Sequence, residues 1–588
     1  MLYVHLCSRL PVRNLRPVLA LLLLLLLVPH PFSASAFALP QETQPSANAP
    51  TTGVAEVSSL EIDPALLLEL QCVWQIIGSD HNPVWPGWDA RKTPVLFYLP
   101  DVQDVLLNHP SPPNDFLPYT GPLADAFPSM LVRNGKTEFA FDGQNTSRVL
   151  FGEQTLIVAD TLSNRKNWLR GWASSTTELE QRLVDLEYPS LRADPYQQME
   201  MIAHEAFHVF QYKHLGHDLG NDHNARFYPC LSVEGNVLLA LEGKAMVASI
   251  TAPTVQASHE FALQWLALRL KRRQDMTKEA QGFEDDNEFM EGLATYAGLR
   301  CLEELEGQSW PPALDYIQGF HGLSDMSGSR AKQLALLTRS MRGEVNVNND
   351  LYGVAPARKR MYSSGLGIAL MLDRLAEATW EEEIALPHQT MTGLVEKILS
   401  PSQQQLAAAL FEARKDPELE ELYRRKETLA ANGKADTQKM VDGILMGTTS
   451  RVAFDWSEFP SQQRGLSYTS FGLRRVDDDQ VIYTLVPIQM QLANQAGGFQ
   501  QRIPRPTLDN LQRQLVTFPL SSSIDQHWLS ERLGQENEGT WEIANLNLEL
   551  PGATIQAQKA KLIWDGSCLT IKPYRLPVAR EGDESVPE

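Results

Sequence analysis

The sequence predicts a multidomain α+β protein: a mostly helical centre, an α+β lobe before it and a β-rich domain after it. Three observations carry this prediction. The 588 residues are 43% hydrophobic and 21% charged, a globular balance in a chain long enough for several cores. Ala- and Leu-rich stretches at 231–250 and 261–270, separated by Gly- and Pro-marked breaks, read as a run of helices. Beyond residue 452 the apolar period switches to two, most clearly in Trp541-Glu542-Ile543-Ala544-Asn545-Leu546-Asn547-Leu548-Glu549-Leu550, which is the alternation of half-buried strands.

In chain order, residues 1–38 read as a secretory signal peptide. Arg9, Arg13 and Arg16 precede an apolar run at 18–28 that is too short to span a bilayer, and Ala34-Ser35-Ala36 or Ala36-Phe37-Ala38 offers a cleavage site. Secretion or passage to a periplasm follows, with no transmembrane segment. Residues 39–59, rich in Gln, Thr, Ser, Ala and Pro, form a flexible leader. Residues 60–190 mix a helical start with short apolar runs such as 94–99 and 155–159, giving the α+β lobe. The helical domain occupies 191–435 and the β-rich domain 450–588.

Charge narrows the function. Lys plus Arg total 51 against 72 for Asp plus Glu, a net charge of −21, so a phosphate-tracking surface is excluded as the main activity and nucleic acid is not the expected partner. Cys72, Cys230, Cys301 and Cys568 remain after the signal, none in CxxC spacing, which leaves buried thiols or a long-range bridge of undetermined pairing.

The informative segment is His204-Glu205-Ala206-Phe207-His208. Asp194 is a good N-cap, Pro195 suits the first helical position, and Gly216 can end the helix. One turn apart on one helical face, His204 and His208 can reach a single zinc ion per chain. Glu205, about 100° round the helix, can take a proton from a water activated there without being a ligand. Hydrolysis of a peptide bond is the matching chemistry, with a peptide or protein as substrate.

A third ligand has two candidates. His214 sits at the last position of an extended HExxHxxGxxH pattern, but Gln211 replaces the helix-breaking Gly, so an unbroken helix turns His214 away. Glu291, in Asn287-Glu288-Phe289-Met290-Glu291-Gly292, is preferred, with Glu288 as fallback one turn earlier. The acids Glu284, Asp285 and Asp286 are expected at the N-terminus of that second helix, which Gly307 would stop.

With HExxH and a downstream Glu-Gly, the centre of the chain resembles the gluzincin zinc metallopeptidases, nearest to the aminopeptidase N type. Tyr296 after Glu291 and the segment Tyr362-Ser363-Ser364-Gly365 extend the likeness. The resemblance implies a gluzincin-like catalytic domain, zinc held by His204, His208 and Glu291, Glu205 as general base and Tyr362 as a transition-state donor. Ser364 stands where the family has Lys, the GxMEN-like segment has no counterpart, and the long interval from His208 to Glu291 requires an inserted helical hairpin. Two features read as structural: Val84-Trp85-Pro86-Gly87-Trp88 as loop packing, and Arg358-Lys359-Arg360 as solvated charge ahead of a helix. The rival from another class is a non-catalytic envelope or binding protein that keeps the helical scaffold.

Overall fold

The computed structural model describes residues 56–135, 145–159, 194–215, 222–347, 350–376, 380–460, 464–468, 472–534 and 539–574. The expected signal peptide, most of the leader and the cleavage sites lie outside them. The described residues belong to one compact unit, Glu42–Glu588.

The lobe holds helix α1 (Ala65–Ile77), whose run of buried Leu, Val and Ile joins the large central core, and a six-stranded sheet. Its strands are β1 (Val95–Leu99), β2 (Gln103–Leu107), β3 (Leu117–Pro118), β4 (Leu131–Asn134), β5 (Thr146–Leu150) and β6 (Glu153–Ala159), in the order β3-β4-β2-β1-β6-β5. Only β1 and β6 run parallel. Side-chain alternation sorts this sheet. Val95, Phe97 and Leu99 enter the large central core, whereas Leu96 and Tyr98 join a small cluster on the other face.

Helix α2 (Pro195–Phe210) crosses this sheet and is followed by a π turn, Gln211–Leu215. Next come the antiparallel pair α3 (Val233–Thr251) and α4 (Val255–Arg273), where the inserted hairpin was expected. One long helix follows in three parts: α5 (Lys278–Asn287), a π turn at Glu288–Gly292, and α6 (Leu293–Glu304), ended near Gly307 at φ +77°. The helical layer is completed by α7 (Ser327–Met341), α8 (Val354–Leu375), α9 (Trp380–Ile384), α10 (Met391–Leu399), α11 (Gln403–Ala413) and α12 (Leu419–Met446). Among the described residues no helix is long and apolar enough to cross a membrane.

The C-terminal part is an eleven-stranded sheet with one short helix, Gln526–Leu533. Its long ribbon β7 (Thr540–Leu550) with β8 (Ala553–Trp564) forms where the sequence alternates by two. Val354, Ala357 and Met361, at the start of α8, pack into the core of this sheet, while Leu366 to Leu372 belong to the central core. Thus α8 is clamped between both cores. The fold is α+β, as the composition and periodicity predict.

Two expectations are corrected here. Glu284 and Asp285 do not start a helix, because Thr277 caps it earlier by accepting from Ala280 N. They lie inside the helix because Arg272 and Arg273 pair with them. Arg358, Lys359 and Arg360 are not ahead of a helix in solvent; they sit within α8 and contact groups of the interior. The four cysteines are free, with Cys72, Cys301 and Cys568 buried. Burial pushes the Cys72 and Cys230 thiols up to about 12.

Candidate metal centre

The local sequence builds α2 as expected. The Asp194 carboxylate accepts from Tyr196 N and Gln197 N, and Pro195 occupies the first turn. Trp85 and Trp88 are buried and meet the Phe207 ring edge-on at centroid distances of 4.9 and 5.1 Å, so the aromatic loop stiffens the back of the helix. Its front presents His204 and His208.

Three donor atoms converge there. His204 Nε2 and His208 Nε2 lie 3.1 Å apart, and Glu291 Oε2 lies 3.5 Å from the first and 3.3 Å from the second. Ligands at the usual zinc distances around a tetrahedral ion are separated by about 3.3–3.4 Å, so these residues fit zinc. Among the described residues no other group of three or more His, Cys, Asp or Glu has this arrangement.

The surroundings fix the orientation of the histidines. Gln211 Nε2 donates to the carbonyl oxygens of Phe289 and Met290 at 2.9 and 3.1 Å, which fixes the orientation of its amide. Its Oε1 therefore accepts from His208 Nδ1 at 2.8 Å, leaving Nε2 turned toward Glu291. Gln211 joins α2 to the π turn between α5 and α6 through one side chain. Read only as the residue replacing a Gly, it was missed, although it stands one turn beyond His208.

Glu291 is drawn to the site by a π turn. In a regular helix Glu288 and Glu291 lie roughly 60° apart on one face; the wider turn opens that angle. Glu288 consequently faces Arg269 and the Ser364 hydroxyl, not the histidines, and the fallback ligand is excluded from the cluster. Room for this turn comes from two glycines. A Cβ on Gly292 would lie 2.4 Å from Gly365 Cα, and one on Gly365 would lie 2.5 Å from the Glu288 carbonyl oxygen. Gly367, two residues on, instead faces Met246 and Leu337.

Helix α8 supplies the remaining wall. Arg358 Nη2 donates to Glu291 Oε1 at 3.1 Å, leaving Oε2 for the histidine side. The Tyr362 ring stacks parallel to His204 at 6.1 Å, and burial together with the Glu291 charge holds its hydroxyl well above the usual tyrosine range. Arg358 and Tyr362 are four residues apart, one face of a helix, and that spacing was the available signal for Arg358. Glu205 is half-buried on α2, close enough for its charge to act on His208 and Tyr362. His214 is exposed and rests on the Phe210 ring, outside the cluster.

The surroundings shift the two imidazoles in opposite directions. Burial drives His204 down to about 4, and the nearby His208 charge contributes to the same shift. Burial also opposes charge on His208, but its hydrogen bond to Glu291, the Glu291 and Glu205 charges and Gln211 outweigh it and hold the ring near 9. Burial would raise the Glu291 carboxyl; the two histidine hydrogen bonds, the His208 charge and Arg358 keep it well below the usual range. No protein family, curated protein or solved structure matches this chain.

Proposed function

We propose that this chain is a zinc-dependent peptidase of gluzincin type that acts outside the cytoplasm. The observation that carries the reading is the convergence of His204, His208 and Glu291 at metal-ligand separations beside Glu205. Zinc held by these three would supply Lewis acidity toward a water and a carbonyl oxygen. Glu205 accepts the proton of the attacking water and passes it to the leaving nitrogen. Tyr362, placed across from His204, donates its O–H to the oxyanion that forms on the scissile carbonyl. Ser364, at the position of the family's Lys, donates to Glu288 instead. Hydrolysis of an unfolded protein in a gel by the full chain, with and without a zinc chelator, tests the reading. Persistent inability to hydrolyse after zinc loading would favour the non-catalytic scaffold.

Two quantitative expectations follow from the geometry. Gln211→Leu removes the acceptor that orients His208 and should weaken zinc binding about 10–100-fold. Glu291→Ala should weaken it further, and His214→Ala should leave it unchanged. Competition with a coloured chelator measures all three; loss of zinc in His214→Ala but not in Glu291→Ala would overturn the ligand set.

Tyr362→Phe keeps the ring that stacks on His204 and removes only the donor. It should lower kcat by about 10²–10³ with zinc content retained. A variant within about threefold of wild type would remove Tyr362 from the catalytic residues, since loss of an oxyanion donor costs more than that.

A further inference from the structure

The three consecutive basic residues of α8 differ in one respect. Arg358 donates to Glu291 Oε1, and Arg360 donates to Asn236 Oδ1 at 3.2 Å. Lys359, between them, is half-buried, yet among the described residues no carboxylate or carbonyl lies within hydrogen-bond or ion-pair distance of its ammonium. Its Nζ stands 4.2 Å over the Tyr362 ring. An aromatic face attracts a cation but accepts none of its three N–H bonds strongly, so the donors are left for an anion.

The position of this ammonium gives the anion its identity. The Tyr362 ring lies 6.1 Å from the His204 ring, so no more than about 10 Å separates Nζ from the centre of the His204 imidazole, the span of about three extended residues. The nearby acids are engaged elsewhere: Glu291 with both histidines and Arg358, and Glu200 with the Gln333 amide at 2.6 Å. Building on the peptidase reading, we propose that Lys359 is a specificity residue that receives a substrate carboxylate within about three residues of the scissile bond. That carboxylate is either the free C-terminus of a short peptide or an acidic side chain.

The test uses the full chain carrying Glu205→Gln, loaded with zinc, so that binding is measured without turnover. Three fluorescent pentapeptides of one sequence serve as probes: one with a free C-terminus, one amidated, and one amidated with Asp at the penultimate position. The expected result is at least tenfold tighter binding of one or both carboxylate probes than of the neutral amide. Lys359→Met should reduce that ratio to within twofold of unity at full zinc content, and Lys359→Arg should keep most of it. Preference for the free acid alone identifies the C-terminus; preference for the Asp peptide identifies a side-chain carboxylate. Equal binding of all three, or a preference that survives Lys359→Met, overturns the proposal. Hydrolysis of the same peptides by the Glu205-containing chain separates the two readings. A binding preference without any hydrolysis retains the carboxylate receptor and removes the peptidase, whereas hydrolysis with equal binding does the reverse.

Discussion

Glu205→Gln is expected to lower turnover of an unfolded protein substrate by about 10²–10⁴ while zinc content stays at the wild-type level. The amide has nearly the same shape as the carboxylate, so α2 keeps its packing against the sheet and its aromatic support from Trp85 and Trp88. It cannot take up a proton near neutral pH. Glu205 is outside the three-donor cluster, so removing its charge leaves the His204, His208 and Glu291 separations in place. Its charge does favour protonated His208, and its loss makes that ring easier to deprotonate on metal binding. Zinc affinity should therefore hold or rise slightly. Parallel measurement of hydrolysis and metal content decides the matter: unchanged hydrolysis would remove the general-base role, and loss of metal would make Glu205 a structural support of the site.

Local chemistry made α2 legible in the sequence. Asp194, Pro195 and the i,i+4 histidines are short-range signals, and the fold realises each of them as expected. Period-two alternation likewise announced the β7–β8 ribbon. Long-range pairing was less legible. Glu284 and Asp285 look like the acids of a helix start, but Arg272 and Arg273, on the preceding helix, claim them. The two π turns have no sequence signature, and both lie where α2 meets the α5–α6 helix. Gln211 shows the same limit, because its meaning depends on carbonyl oxygens of Phe289 and Met290 far along the chain. A basic triplet is usually solvated; here the C-terminal sheet holds the start of α8, and that packing carries Arg358 and Lys359 to the metal side.

The second large effect is expected from Arg269→Met. Arg269 is fully buried and lies among three buried carboxylates: it bonds Glu288, approaches Glu284 at 3.5 Å and Glu242 at 3.6 Å, and stacks near the Trp265 ring. Met keeps the apolar stem but stops short of the guanidinium position, and it leaves those acids with less compensation in a region closed to water. Breaking one partner out of such a network costs about 3–5 kcal/mol, so the urea midpoint of the full chain should fall markedly. The penalty reaches the metal centre through Glu288. Released from Arg269, this carboxylate must seek a proton or water, and either loosens the π turn that aims Glu291 at the histidines. Zinc affinity should fall along with stability. A merely volumetric defect would behave differently in the double variant Arg269→Met/Glu288→Met: removing both charges takes away the unpaired carboxylate, and stability should recover by at least half of the loss, since well-packed apolar pairs replace buried ion pairs at little net cost. A single variant within about 1 kcal/mol of wild type would mean that Arg272 and Arg273 alone satisfy the cluster. A double variant no more stable than the single one would place the defect in packing around Trp265 and Ser364, not in charge.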